Sequence, residues 1–201
     1  MRERLPASER RAAVLDTACR VFARCSYRGA TTAEIAREAG VTEPILYRHF
    51  AAKRELYLAC LAEAWLRVQA MWEEAIAAEP DPGEWTSAMS RCFQEMDRDQ
   101  RAMLSTLWVQ ALSEASEDPE IRKYARRHLR DVHDYATSVM RRAQEAGRIP
   151  ADRDLEAEGW IFVALGLLGS IGRRLGAVPE EDFTRIRDAR RAWLTGETVP
   201  R

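Results

Sequence analysis

The chain has 201 residues, of which 46% are hydrophobic, enough to form one large domain or two small ones that share a core. Its net charge of -1 conceals an uneven distribution, because residues 1–55 carry 11 Arg and Lys against 7 Asp and Glu, whereas the remainder carries 20 against 25. The N-terminal part is therefore basic and the rest acidic, which predicts that only the N-terminal part faces a polyanion.

Neither a secreted nor a membrane protein is expected. The first residues mix Arg and Glu before Pro6 and contain no apolar run, unlike a signal peptide. The longest apolar run, Trp160 to Ile171, is interrupted by glycines and is too short to cross a bilayer. The cysteines (Cys19, Cys25, Cys60 and Cys92) show neither a CxxC pair nor zinc-site spacing. We interpret them as small buried hydrophobes of a soluble protein in the reducing cytoplasm.

The first predicted helix follows a short arm, residues 1–7. Ser8 is expected to cap this helix, and Leu15 and Phe22 belong to its buried stripe. Gly29 lies at its predicted end.

The next stretch, Thr31 to Lys53, predicts two short helices joined by a tight turn. Thr31 and Glu34 have the spacing of a capping box, and Gly40 is suited to end the first helix. Thr42 is a second cap, and Pro44 falls in the first turn of the second helix, where a missing N–H costs little. The spacing therefore predicts a helix-turn-helix.

The second of these helices has one apolar and one polar face. Leu46 and Phe50 lie four residues apart and are expected to be buried. The opposite face carries Glu43, Ile45, Tyr47, Arg48 and His49. This mixture of hydrogen-bonding groups with one aliphatic side chain is suited to the major groove of DNA, where base edges offer acceptors, donors and the thymine methyl group.

The rest of the chain contains helical periodicity and no convincing strand. Helices are expected at about residues 52–78, 84–96, 101–115, 118–146, 155–175 and 180–194. The strongest turn signal is Pro80-Asp81-Pro82-Gly83.

The helix-turn-helix stretch resembles the TetR family of bacterial transcriptional regulators. The resemblance rests on Thr31-Thr32, Ile35-Ala36, Ala39-Gly40-Val41, Tyr47, His49-Phe50 and Lys53, all in register. It implies an all-α fold of about nine helices, with an N-terminal three-helix DNA-binding domain in residues 1–53. Residues 54–201 would form a helical domain that dimerises and encloses a small-molecule pocket. The implied function is a ligand-responsive regulator, in most family members a repressor, that binds a palindromic DNA operator as a homodimer.

The resemblance also implies a role for individual residues. Backbone contacts to DNA are implied for Thr32, Thr42, Tyr47, His49 and Lys53, and positions near the base edges for Glu43, Pro44, Ile45 and Arg48. Hydroxyls and a lysine at helix starts suit phosphate contacts, Arg48 could read guanine, and Ile45 could meet a thymine methyl group. For Tyr47 and His49 a purely structural role stays open.

The chain departs from the family pattern at two places. Pro44 stands where small residues are common and offers no N–H to a phosphate, and Ile45 is bulkier than the usual residue. Ala51 and Ala52 lack the capping side chain that often precedes the lysine.

Two further sets of residues have possible chemistry. Phe93, Met96, Trp108 and Met140 are candidates to line a ligand pocket, with ordinary core packing as the alternative; a mainly apolar ligand is expected. His128, Asp131, His133 and Asp134 lack the i, i+4 histidine spacing of a helical metal pair, so a solvated helix face is the better interpretation. We therefore expect no metal, no cofactor and no enzymatic activity.

The segment around residues 155–175 combines glycines with apolar residues on nearly all sides, which predicts complete burial. A two-fold, four-helix dimer interface would achieve this, with the candidates Gly166, Gly169, Ser170, Phe183, Ile186 and Trp193. The alternative is an internal core helix in a monomer. For the function as a whole, the alternative is a helical protein-interaction module without specific DNA binding.

Overall fold

A computed structural model describes residues 7–197 of the chain. Within this range the fold is all-α, with nine α-helices and one 3₁₀ turn, which confirms the predicted fold class. The helices are α1 (Ala7–Gly29), α2 (Thr32–Glu38), α3 (Glu43–His49), α4 (Lys53–Ala78), α5 (Trp85–Glu95), α6 (Arg98–Glu114), α7 (Pro119–Glu145), α8 (Leu155–Leu175) and α9 (Glu180–Thr195). Apart from Ala7, the predicted N-terminal arm lies outside the described residues, as does the side chain of Ser8.

Local sequence signals explain most helix ends. The predicted cap at Thr31 is confirmed, because its side chain accepts a hydrogen bond from the backbone N–H of Glu34 at 3.1 Å. The Glu34 carboxylate does not complete a capping box and instead pairs with Arg24 at 3.2 Å. Helix α6 starts at Arg98, three residues before the expected position, because its first turn is polar and carries no apolar periodicity. Helix α1 is broken at Ser26, whose φ is 64°.

The chain packs as two units. The first comprises residues up to 67 together with 98–124, and the second comprises 68–97 and the residues from 125 onward. Helices α4 and α7 contribute to both units. The packing division therefore does not coincide with residue 53, because the three N-terminal helices share a core with the first half of α4 and with α6.

The first unit has a continuous apolar core. Its largest fully buried side chains include Phe22, Ile35, Leu46, Phe50, Leu56, Tyr57 and Leu107. The rings of Phe22 and Tyr57 meet edge to face at 5.0 Å, and the Tyr57 hydroxyl donates to the Leu107 carbonyl at 3.4 Å. These contacts tie α1, α4 and α6 together around the two short helices.

The second unit is built around α7, α8 and α9. Its core contains Ala136, Met140, Ala143, Ile149, Leu155 and Leu194. On the part of α4 that belongs to this unit, the Trp72 ring packs against Phe162 of α8 at 5.6 Å and against Tyr135 of α7 at 5.5 Å.

Helix α8 has two different faces. On the inner face Gly159 is closely covered by α7, and Gly172 is covered by the segment that leads into α9. On the outer face apolar side chains recur at alternating spacings of three and four residues and are exposed: Ile161, Ala164, Leu168, Ile171 and Leu175. The predicted complete burial is therefore wrong for a single copy of the chain.

The length of α8 also revises an expectation. The helix has 21 residues and an 18-residue window of mean hydropathy 1.4, of which 28% is buried. By length and composition alone it could cross a bilayer, whereas the shorter run considered in the sequence could not. Its close glycine contacts and its regular outer stripe are equally typical of helix packing in a soluble assembly.

Gly159 provides a test of the packing between α7 and α8. A Cβ atom at this position would lie 2.9 Å from Cδ2 of His133, and it would lie closer still to the Thr137 hydroxyl. We expect Gly159→Ala to lower the free energy of unfolding by about 1–3 kcal/mol, measured by urea denaturation at fixed protein concentration. Gly166→Ala in the same helix is the control, since no described atom of the same subunit lies within 4 Å of the added methyl group, and both variants are compared at a protein concentration low enough to keep the chain monomeric. The control should be neutral or stabilising by about 0.5–1 kcal/mol; equal destabilisation of both variants would contradict the close contact.

Candidate functional site

The turn between α2 and α3 has the geometry expected of a helix-turn-helix. Gly40 has a φ of +68°, which a glycine adopts without strain. The N–H of Val41 donates to the Ala36 carbonyl at 2.9 Å, and the N–H of Gly40 donates to Arg37 at 3.2 Å, as in a Schellman motif. Thr42 occupies the cap position of α3, but its hydroxyl makes no capping hydrogen bond. The hydroxyl is thus left for an external partner.

Burial divides α3 as its sequence predicts. Leu46 is fully buried and Phe50 is 1% exposed. The candidate DNA contacts at Thr42, Pro44, Tyr47 and Arg48 are exposed, whereas those at Thr32, Glu43, Ile45, His49 and Lys53 are half-buried. Arg48 forms no ion pair with the described residues. We refer to these nine residues as the α3 surface.

Three residues of the α3 surface are already joined to one another. The Thr32 hydroxyl donates to Oε1 of Glu43 at 2.6 Å and lies 3.1 Å from the Tyr47 hydroxyl. This network holds the start of α2 against the start of α3 and orients the Tyr47 ring outward. Sequence reasoning missed it, because the three residues lie 11 and 15 positions apart and meet only through the angle between the helices.

Lys53 has partners that the sequence did not reveal. Its ammonium group lies 4.9 Å from the centre of the Tyr27 ring and donates to the Arg28 carbonyl at 3.4 Å. Burial lowers the pKa of Lys53, and the charge of Glu114 opposes that shift. The lysine at the start of α4 is therefore held against the end of α1.

The same end of α1 forms ion pairs with acidic residues. Arg28 forms ion pairs with Glu114, at 3.2 Å, and with Glu117. Nearby, Arg54 pairs with Asp118 at 3.5 Å. These contacts connect the helix-turn-helix to the end of α6 and the start of α7 within the first unit.

The comparisons with known proteins agree with this geometry. The model of bacterial regulatory proteins of the tetR family matches residues 14–60, which include α2, α3 and the turn. A transcriptional regulator from Pseudomonas putida, SrpR, is 30% identical over 178 residues, which cover 81% of this chain and 75% of the relative. The chain belongs to the TetR family. It is therefore a transcriptional regulator with a DNA-binding domain and not an enzyme.

Other known proteins resemble this chain either in the sequence of its N-terminal part or in the fold. The transcriptional activator FasR from Mycolicibacterium smegmatis is 52% identical over 58 residues, which are 29% of this chain and only 26% of that protein. A TetR-family regulator from Cytophaga hutchinsonii superposes with a TM-score of 0.82 at 15% identity and covers 99% of this chain and 100% of that one. A transcriptional regulator from Saccharomonospora viridis, solved in complex with choline, has a TM-score of 0.72 at 21% identity, with coverages of 96% and 100%.

One of the predicted ligand-pocket residues of this TetR-family chain lines a cavity in the part of the chain that the structure describes. Met140 lines a cavity of about 50 Å³ in the second unit, between α5, α7, α8 and α9. Phe93 and Met96, at the end of α5, do not line this cavity. Trp108 packs against the core of the first unit. Periodicity identified these residues as partly buried, but it could not show which cavity each would face.

The cavity is lined by both apolar and charged side chains. The apolar ones are Met140, Ile161, Phe162, Leu165 and Leu194. The charged ones are Arg187, Arg190 and Arg191 on adjacent turns of α9, together with Glu158 of α8. Burial lowers the pKa of Arg190 below the ordinary guanidinium value.

The predicted dimer residues lie in two environments. Phe183 is only 8% exposed, and its ring is covered by the Arg173 guanidinium at 4.6 Å inside the same subunit. Gly169 is likewise buried, close to Arg173. Gly166 and Trp193 are exposed, and Ser170 and Ile186 are half-buried. A partner could therefore meet Gly166 and Trp193 directly, whereas Gly169 and Phe183 serve the subunit's own packing.

The histidines of α7 are structural rather than solvated. His133 is 5% exposed, with Nδ1 2.8 Å from Asp134 Oδ1 and Nε2 3.0 Å from the Glu156 carbonyl, and its ring stacks on Trp160. Burial alone would lower the pKa of His133, but hydrogen bonds to Asp134 and Glu156 raise it overall. Burial lowers the pKa of His128 from 6.5 to about 4. The interpretation of this cluster as a solvated face is wrong for both histidines.

His128 predicts a pH dependence of stability. Because its folded-state pKa lies below the unfolded value, the unfolded chain takes up the proton first as the pH falls. The contribution is complete above about pH 6.5 and is lost progressively toward about pH 4. Between pH 7.5 and pH 5 we expect this residue to account for a loss of about 2 kcal/mol, a loss that His128→Leu removes. Urea denaturation across this pH range measures it, and parallel curves for the two proteins would contradict the assignment. His133 contributes with the opposite sign in both proteins and therefore cancels in the comparison.

Proposed function

We propose that the chain is a cytoplasmic, ligand-responsive repressor that binds a palindromic operator as a homodimer. The observation that carries this proposal is the α3 surface. Its exposed polar groups include Arg48, which has no ion pair among the described residues, and the opposite side of α3 is held by the buried side chains of Leu46 and Phe50. A helix held in this way can enter the major groove without losing its own packing.

The residues of the α3 surface divide into two roles. Thr32, Thr42, Tyr47, His49 and Lys53 contact phosphates, which position the protein without reading sequence. Glu43, Pro44, Ile45 and Arg48 lie near base edges, where Arg48 donates to guanine and Ile45 contacts a thymine methyl group. Residues 1–53 form the DNA-binding domain, and residues 54–201 form the regulatory and dimerisation domain.

A second copy of the chain covers the outer face of α8. The 3-4 alternation of Ile161, Ala164, Leu168 and Ile171 is the pattern of helices that pack at a shallow angle, and these side chains are exposed in a single copy. Trp193 of α9, which is 55% exposed, extends the same face. Binding of such a dimer to a two-fold operator would require two α3 helices about 35 Å apart, one turn of DNA.

Ligand response is supported by the cavity of the second unit. The regulator from Saccharomonospora viridis, which shares the fold, was solved in complex with choline. In the present chain Phe162 lines the cavity and packs on Trp72 of α4. Helix α4 is continuous from Lys53 to Ala78, and Lys53 belongs to the α3 surface. A ligand that moves Phe162 and Trp72 would therefore shift the position of α4 and, with it, of Lys53.

The sign of regulation has a specific alternative. FasR is named an activator and shares 52% identity with the N-terminal part of this chain. Activation is therefore the second candidate. A repressor and an activator would require the same DNA contacts, since repression and activation differ in where the operator lies.

The DNA contacts can be separated by mutation. The DNA upstream of the protein's own gene, searched for an inverted repeat, supplies the duplex for fluorescence anisotropy. Arg48→Ala should cost about 1–3 kcal/mol on this operator and relax selectivity at one base pair. Lys53→Ala should weaken binding to operator and random DNA alike and reduce the salt slope by about one.

Arg185→Ala is the control for these variants, because Arg185 is a highly exposed arginine of α9, outside the α3 surface. It should bind as the wild type does. Equal losses on operator and random DNA for both Arg48→Ala and Lys53→Ala would contradict the division of roles. No salt-dependent DNA binding by the wild type would overturn the proposed function itself.

The dimer face is tested independently of DNA. Leu168→Glu places a charge in the centre of the proposed interface, so the dimer dissociation constant should rise at least about tenfold in sedimentation velocity. Leu66→Glu changes an equally apolar and more exposed residue of α4 and should leave the dimer intact. An unchanged dimer in Leu168→Glu, or a monomeric wild type, would contradict this interface.

A further inference from the structure

The arginines of the cavity are not equivalent. Arg190 forms an ion pair with Glu158, whose other oxygen accepts a hydrogen bond from Nε1 of Trp193 at 3.0 Å. Arg191 pairs with Glu84 at 3.2 Å and also with Glu197. Both guanidinium groups therefore have carboxylate partners that belong to the protein.

Arg187 is compensated less completely. Its Nη1 donates to the neutral side chain of Gln94 at 2.7 Å. Its Nε is buried without a hydrogen-bond partner among the described residues, and the nearby carboxylate oxygen of Asp188 lies 3.5 Å away on a largely exposed side chain. The Arg187 side chain itself is only 16% exposed. A buried guanidinium with an unsatisfied donor is costly unless something else accepts from it.

The Arg187 guanidinium suits one type of acceptor. Gln94 is neutral, so this guanidinium has no bidentate carboxylate partner among the described residues, and its planar set of donors matches the two oxygens of a carboxylate. Asp188 is too distant to form that bidentate contact in full. The apolar side chains that line the same cavity include Met140, Phe162 and Leu165. The cavity thus combines a positively charged side chain that lacks a full carboxylate partner with a short apolar surface.

We propose that the cavity between α5, α7, α8 and α9 binds a small organic carboxylate, whose charged group pairs with the guanidinium of Arg187 and whose short alkyl chain lies against Phe162 and Leu165. This inference rests on the proposed function, since it names the class of ligand to which the regulator responds. A cavity of about 50 Å³ limits the ligand to a short chain unless Phe162 moves. A cation such as choline would meet the arginines unfavourably.

Isothermal titration calorimetry on the full-length protein without DNA tests the inference. The probes are hexanoate, 1-hexanol, choline and inorganic phosphate at equal ionic strength. Wild-type protein should bind hexanoate at least tenfold more tightly than each of the other three. Arg187→Gln should weaken hexanoate binding at least tenfold, while Arg185→Gln on the exposed side of α9 should leave it unchanged.

Each outcome bears on the inference. Hexanol binding as tightly as hexanoate, tighter binding of phosphate or choline, no hexanoate binding by the wild type, or unchanged binding by Arg187→Gln would overturn it. Comparison of probes on the wild type needs no variant, so a folding defect in Arg187→Gln does not remove the test.

Operator binding measured with and without hexanoate separates the two proposals. Arg187-dependent hexanoate binding that leaves DNA affinity unchanged would support the site and refute a ligand response through it. Intact DNA binding with no hexanoate binding would overturn the site alone.

Discussion

The burial of Leu46 and Phe50 is the constraint on which the proposed function depends. Both side chains are almost fully buried in the core that α1, α4 and α6 complete, so α3 has one permitted orientation. A helix of seven residues has little stability of its own, and tertiary contacts supply nearly all of it. The outward direction of Arg48 and Tyr47 is therefore a consequence of core packing. The hydrogen bonds among Thr32, Glu43 and Tyr47 then refine that arrangement.

Helix α8 illustrates how one apolar segment serves two kinds of packing. Its glycines permit close approach within the subunit, where Gly159 meets α7 and Gly172 meets Val178 and Phe183. Its larger apolar side chains point the other way and are exposed in a single copy. The side that is tightly packed can be occupied only by the subunit itself, because a Cβ atom at Gly159 or Gly172 would already be in collision. The regular outer stripe is what a second helix pair could cover.

Charge pairing explains why α9 matters to the second unit. Three arginines on adjacent turns would destabilise a partly buried wall if they were not compensated. Glu158 and Glu84 provide compensation for Arg190 and Arg191, and they link α9 to α8 and to the turn before α5. Arg187 relies on a neutral amide and on a distant carboxylate. A cavity with three arginines, of which Arg187 is the least completely compensated by carboxylates of the described residues, is suited to recognising an anion.

The sequence by itself determined the fold class, most helix ends and the direction of the buried face of α3. These properties depend on residues within a few positions of each other: the cap at Thr31, the positive φ at Gly40 and the spacing of Leu46 and Phe50. Only the tertiary structure decided which residues from distant helices meet. It joined Thr32 to Tyr47, held Lys53 against Tyr27 and brought Arg187 to Gln94. The physical reason is that periodicity reports how strongly a face is buried, whereas the identity of its partner depends on the angles at which whole helices cross.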